Sequence, residues 1–84
     1  MYLSEILNKI NTVNIKGKTN LQINGMHFDS RMIKDKFIFF AVNGITNDGH
    51  QYIEASIKNG AAVVVANKNQ KKHYDQVTYV YVRD

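Results

Sequence analysis

The 84-residue chain contains no cysteine, which excludes a disulfide scaffold, a thiolate nucleophile and a cysteine-built zinc site. Long hydrophobic runs are also missing. The two longest, Phe37 to Val42 and Ala61 to Ala66, are far too short to cross a bilayer. The amino terminus carries Ser4, Glu5, Asn8 and Lys9 among its first ten residues, so it has no unbroken apolar stretch behind a basic start and does not read as a signal peptide. The three histidines, His27, His50 and His73, are scattered, without the close spacing of a metal-ligand set. A dense basic tract is absent too. The net charge of +4 is spread out, and its one local cluster, Lys68, Lys71 and Lys72 with His73, reads as a solvated face. Gly17-Lys18-Thr19 imitates the end of a phosphate-binding loop. The full pattern requires a glycine five residues before Gly17, where Thr12 stands, and a helix afterwards rather than a strand.

What remains is an ordinary globular composition, 44% hydrophobic and 21% charged, in a length that fits one small domain. Leu3, Ile6, Leu7 and Ile10 recur at helical spacing, which predicts an amphipathic helix over 3–10 with Ser4 as its cap. Val13 to Lys16 reads as a short strand, Gly17 to Asn20 as a turn, and Leu21, Ile23, Met26 and Phe28 as strand material broken by a bulge or turn at Asn24-Gly25. Arg31 to Lys36 is a polar connection. The run Phe37 to Val42 is apolar on both alternating faces, as in a strand covered on both sides. After a loop, Asp48 and Gln51 suggest a helix start, and Tyr52, Ile53, Ser56 and Ile57 form its buried face. Gly60 stands where a left-handed cap is wanted, and Ala61 to Ala66 is a second buried strand. Residues 37–66 therefore form one β-α-β unit, expected to be right-handed with parallel strands. Asn67 to Gln76 is a polar connection, and Val77 to Val82 is a last strand. The predicted fold class is α/β: a small mixed sheet with an N-terminal helix. The stop at Asp84, just past that strand, suggests a domain boundary inside a longer protein.

Two places could hold chemistry. In open α/β sheets ligands gather beyond the carboxyl ends of parallel strands, which here means the loop Asn43 to Gly49. Gly44 and Gly49 admit a close ligand, and the next helix N-terminus favours phosphate. A plain connecting loop, with Asp48 as a helix cap, explains the same residues. The second place is Phe28-Asp29-Ser30-Arg31, which groups an aromatic face, a carboxylate, a hydroxyl and a guanidinium. A simple Asp29–Arg31 turn ending a strand is the competing reading.

Taken in order, Phe28-Asp29-Ser30-Arg31, Gly44, Asp48-Gly49-His50, Tyr52-Ile53-Glu54 and Gly60-Ala61-Ala62-Val63-Val64-Val65 resemble the N-terminal domain of the Mur ligases. The likeness is closest to the MurE branch, which adds the third residue of the peptidoglycan stem peptide, and it runs over nearly the whole chain. Where that family usually has Gly-Asp before the apolar strand, this sequence has Lys36-Phe37. The resemblance implies that residues 1–84 bind the UDP end of UDP-N-acetylmuramoyl-L-alanyl-D-glutamate through Phe28, Ser30, Ile45, Thr46 and Asn47, with Asp29 and Arg31 shaping the turn. It implies no catalytic residue and no cofactor in this chain. ATP and Mg²⁺ would act in central and C-terminal domains of a cytoplasmic parent enzyme, on whose central domain this one would pack. An acyl phosphate formed there would be attacked by the amine of diaminopimelate or lysine. No nucleic acid and no membrane insertion are expected. The related domain of MurF is the nearest alternative. More distant ones are a free-standing nucleotide- or RNA-binding module, using Tyr79 and Tyr81 as a thin aromatic face, and a structural domain docking through its sheet edge.

Overall fold

The computed structural model describes residues 1–10, 12–41, 52–67 and 74–82. Its elements are α1 (Leu3–Leu7), β1 (Thr12–Lys16), β2 (Gly25–His27), a 3-10 turn (Ser30–Met32), β3 (Phe37–Ala41), α2 (Ile53–Lys58), β4 (Ala61–Ala66) and β5 (Thr78–Val82). They build one five-stranded sheet in the order β1-β5-β4-β3-β2. The strands β2 to β5 pair in parallel, and β1 lies antiparallel on β5. The predicted β-α-β unit is β3-α2-β4.

Alternation along the central strands sends side chains to two separate cores. Phe39, Ala41, Val64, Tyr79 and Tyr81 face Ile53 of α2, whereas Ile38, Val63, Val65 and Val80 face Leu3 and Ile6 of α1. Such strands must be apolar throughout, which explains the unbroken hydrophobic runs. Each fully buried aliphatic side chain contributes on the order of 1.5–3 kcal/mol. A register shift between Phe37 and Ile38 against Ala61 and Val63 lets Ala61 and Val64 share one face.

Several local expectations are corrected. The first helix stops at Leu7 rather than Ile10, and Tyr2, not Ser4, is its cap residue. The cause is a tertiary contact. Leu3 N–H donates to the Leu21 carbonyl at 2.7 Å and Ile23 N–H to the Met1 carbonyl at 2.6 Å, so the chain is held extended through Tyr2 and the helix starts at Leu3. Gly25 is neither bulge nor turn; it sits inside β2 opposite Phe37, whose ring would lie 2.7 Å from an added Cβ. Phe28 lies beyond the strand, and the connection after it contains the 3-10 turn and a buried Ile33. Tyr79 and Tyr81 are buried, stacked with ring centroids 6.4 Å apart, so they offer no face to a nucleic-acid base. Docking along the β1 edge is disfavoured as well. A register shift interrupts β1, and Asn14 Oδ1 takes the Ile15 N–H at 2.9 Å, both of which blunt an edge.

Lys36, standing where a glycine was expected, has φ = 62°. It therefore adopts the left-handed conformation that favours glycine. Its N–H donates to the Gly60 carbonyl and its carbonyl accepts from Asn24 N–H, both at 2.9 Å, which joins the starts of β2, β3 and β4. A left-handed non-glycine residue costs about 1–2 kcal/mol, and glycine adds about 0.5–1 kcal/mol of unfolded-chain entropy. Lys36→Gly should therefore stabilise the domain by about 0.5–1 kcal/mol, seen as a raised urea midpoint at constant slope. A lowered midpoint would contradict the left-handed assignment.

Candidate functional site

The carboxyl end of β2 leads straight into a compact turn. Asp29, extended at φ −103° and ψ 117°, caps the 3-10 turn by accepting the Arg31 N–H on its side chain, at 2.9 Å on Oδ1. The Arg31 guanidinium folds back on the same carboxylate, with Nε donating to Oδ1 at 3.1 Å and Nη2 to Oδ2 at 2.8 Å. These hydrogen bonds, side chain first and backbone second, hold the Asp29 carboxyl at about 2, well below its ordinary 3.8. The folded value is depressed, so the pair's contribution is present above the ordinary carboxylate range and is lost only as pH falls through about 2. Arg31 is shifted upward by the same contact and stays charged. Its side chain is 86% exposed, against 27% for Asp29, which leaves guanidinium donors free for a ligand.

Behind this pair, Ser30 is buried. Its carbonyl accepts Asn59 Nδ2 at 2.9 Å, which ties the turn to the end of α2, and its hydroxyl makes no hydrogen bond to another described residue. On the other side, Phe28 is 77% exposed and stacks on His27 with ring centroids 5.0 Å apart and planes 27° from parallel. The Asp29 N–H donates to His27 Nδ1 at 3.0 Å.

Phe28, Asp29, Ser30, Arg31 and Tyr52 line an open cleft of about 440 Å³. An aromatic wall, an oriented guanidinium and the Ser30 hydroxyl, unpartnered among the described residues, suit a flat ring joined to an anionic group. Tyr52 was not anticipated here, since its spacing to Ser56 put it on the buried face of the helix. In fact α2 begins at Ile53, and Tyr52 at its cap position is 43% exposed, so its ring turns toward the cleft. Only the helix boundary could have revealed this. The remaining predicted contacts, Ile45, Thr46 and Asn47, lie outside the described residues, as do Gly44, Asp48, Gly49, His50 and the Lys68 to His73 cluster. The strand β3 runs parallel to β2 and ends at Ala41, at the same carboxyl end of the sheet as Phe28.

A second hollow of about 290 Å³, lined by Lys16, Gly17, Tyr74, Asp75, Val77 and Tyr79, lies at the opposite, amino end of the parallel strands. There Gly17 (φ 121°) forms a tight turn after β1, and the Lys18 carbonyl accepts Thr78 Oγ1 at 2.7 Å. This is a strand-ending turn, not the phosphate-binding loop it imitates in sequence. Among the described residues no cluster of three or more metal-ligating side chains occurs.

Comparison with known proteins agrees with this architecture. Residues 22–83 match the model described as "Mur ligase family, catalytic domain". The chain is 37% identical over its full length to the UDP-N-acetylmuramoyl-L-alanyl-D-glutamate--2,6-diaminopimelate ligase of Alkaliphilus metalliredigens, of which it spans 17%. It is 39% identical over 83% of its length to a UDP-N-acetylmuramyl-tripeptide synthetase of Borreliella afzelii, spanning 14% of that protein. Among solved structures, a MurF crystal structure from Acinetobacter baumannii superposes with a TM-score of 0.63 at 22% identity, covering 74% of this chain and 13% of the other. That last likeness concerns the fold alone.

Proposed function

Because the chain belongs to the Mur ligase family, we propose that it is the part of a peptidoglycan ligase that grips the UDP end of UDP-N-acetylmuramoyl-L-alanyl-D-glutamate. The observation that carries this reading is the Phe28–Arg31 cleft at the carboxyl end of the parallel strands, where open α/β sheets collect ligands. Phe28 and Tyr52 offer faces to the uracil ring, and Ser30 Oγ and the free donors of Arg31 offer hydrogen bonds to ring or phosphate oxygens. Ile45, Thr46 and Asn47 are proposed as further contacts from the family resemblance. The matched family model is described as a catalytic domain; on this reading the chain's share of catalysis is to hold the remote end of the substrate. ATP, Mg²⁺ and the incoming amine would be handled by other domains of a cytoplasmic parent enzyme, against whose central domain this one packs. No helix among the described residues is long and apolar enough to cross a membrane. The diaminopimelate-adding and tripeptide-synthetase names of the sequence relatives favour the MurE-type substrate over the MurF-type one.

Titration of UDP into the ¹⁵N-labelled chain should give a Kd of roughly 0.1–10 mM, about 3–5 kcal/mol, as an open cleft allows. Resonances of Phe28, Ser30, Tyr52 and residues 44–50 should move. Shifts confined to Lys68–His73 with a steep salt dependence would instead mark non-specific phosphate attraction and reject the assignment.

A further inference from the structure

We propose that His27 is a positioning residue of this cleft, acting in its neutral form, so that ligand binding weakens when the imidazole is protonated. The inference rests on the cleft being the nucleotide site. His27 is half-buried at the last position of β2 and performs two tasks at once. Its ring stacks on Phe28, which otherwise stands 77% exposed with little to fix its orientation. Its Nδ1 accepts the Asp29 N–H at 3.0 Å, and Asp29 in turn caps the turn that carries Ser30 and Arg31. A backbone N–H directed at Nδ1 requires a lone pair there, so the ring proton sits on Nε2. Protonating Nδ1 sets one N–H against another, and the turn must move.

The charged group nearest the imidazole is the Asp29 carboxylate, which a protonated His27 would attract, but that attraction does not remove the opposition of two N–H groups at Nδ1. Both Asp29 carboxylate oxygens already accept from Arg31, β3 presents apolar Phe39 opposite His27, and the remaining titratable group lining the cleft is Tyr52. Asp29, held at about 2, and Arg31, shifted upward, keep their charges throughout the range of pH 5–8 in which imidazoles as a class change theirs.

The test uses the 84-residue chain and UDP-N-acetylglucosamine, whose diphosphate diester keeps a constant charge between pH 5 and 8. In the wild type, Kd should rise about tenfold from pH 8 to pH 5, the scale of one lost hydrogen bond, and the Asp29 amide resonance should move with the midpoint of the His27 ring. His27→Asn places an amide oxygen where Nδ1 was; it should weaken binding only about two- to fourfold, through loss of the stacked ring, and should abolish the pH dependence. His27→Phe keeps a ring but no acceptor, and should bind about tenfold more weakly at pH 8. A pH dependence that persists in His27→Asn, or wild-type affinity in His27→Phe, would overturn the inference while leaving nucleotide binding intact. No binding by the wild type at any pH, with the Asp29 amide still following His27, would reject the cleft as the nucleotide site and this inference with it.

Discussion

Gly60→Ala is expected to destabilise the domain by about 3 kcal/mol, from backbone strain of about 1–3 kcal/mol at a glycine-only conformation together with a main-chain clash. Gly60 has φ = 116°, a region that residues with a Cβ rarely adopt. The added methyl would lie 2.8 Å from Asp35 Cα and 2.9 Å from Asp35 N, and main-chain atoms cannot swing aside as a side chain can. Relief by moving Gly60 is blocked on both sides, because its N–H donates to the Ile57 carbonyl at 3.1 Å and its own carbonyl accepts Lys36 N–H at 2.9 Å. Domains of this size are stable by about 4–12 kcal/mol, so a large share of the total is at stake. Gly25→Ala is the internal control. Its methyl meets the far end of the Phe37 ring, which is half-buried and able to rotate, so the loss should be smaller. Urea unfolding followed by circular dichroism measures both variants. A Gly60→Ala midpoint within the range of Gly25→Ala would show that the α2–β4 junction yields more easily than its hydrogen bonds suggest.

In a complete ligase carrying this domain, Ser30→Ala should raise KM for the UDP substrate about five- to thirtyfold, equivalent to about 1–2 kcal/mol for a polar contact to a charged group. Ser30 is a buried residue at the cleft, and its hydroxyl makes no hydrogen bond to another described residue. The backbone of the turn is anchored by the Ser30 carbonyl to Asn59, not by the hydroxyl. The substitution should therefore leave the fold in place and remove only the ligand contact. A contact remote from the reacting carboxylate is similar in the ground and transition states, so kcat should fall little, and KM for ATP and for the amino acid should hardly move. Unfolding of the variant would make Ser30 a structural turn residue. Intact folding with an unchanged KM would remove it from the nucleotide site.

Of the two candidate places, the loop Asn43 to Gly49 lies outside the described residues. The turn Phe28–Arg31 was visible because it puts four chemically distinct side chains side by side. The fork of Arg31 on Asp29, which makes the turn rigid, is local as well and follows from a spacing of two residues. His27 and Tyr52 were not legible as parts of the site. His27 reads as one scattered histidine until the strand is seen to end there and its ring to receive the Asp29 N–H. Tyr52 lies far from the turn in sequence and reaches the cleft through the packing of α2 on the 3-10 turn.

The sequence by itself determined the order and type of the main elements. It did so because a strand covered on both faces must be apolar at every position, and the runs at Phe37–Ala41 and Ala61–Ala66 have the length of strands rather than helices. It also determined the tight turns at Gly17 and Gly60, where positive φ excludes most side chains. Tertiary structure alone decided that Tyr2 rather than Ser4 caps α1, because hydrogen bonds to Leu21 and Ile23 outweigh the weak capping preference of Ser4. It also decided that Lys36 is left-handed, because bonds to Asn24 and Gly60 offset a penalty that local preference would not accept. The cleft belongs to the same class. A concave surface is the space left between elements distant in the chain, and no single stretch of sequence encodes its shape.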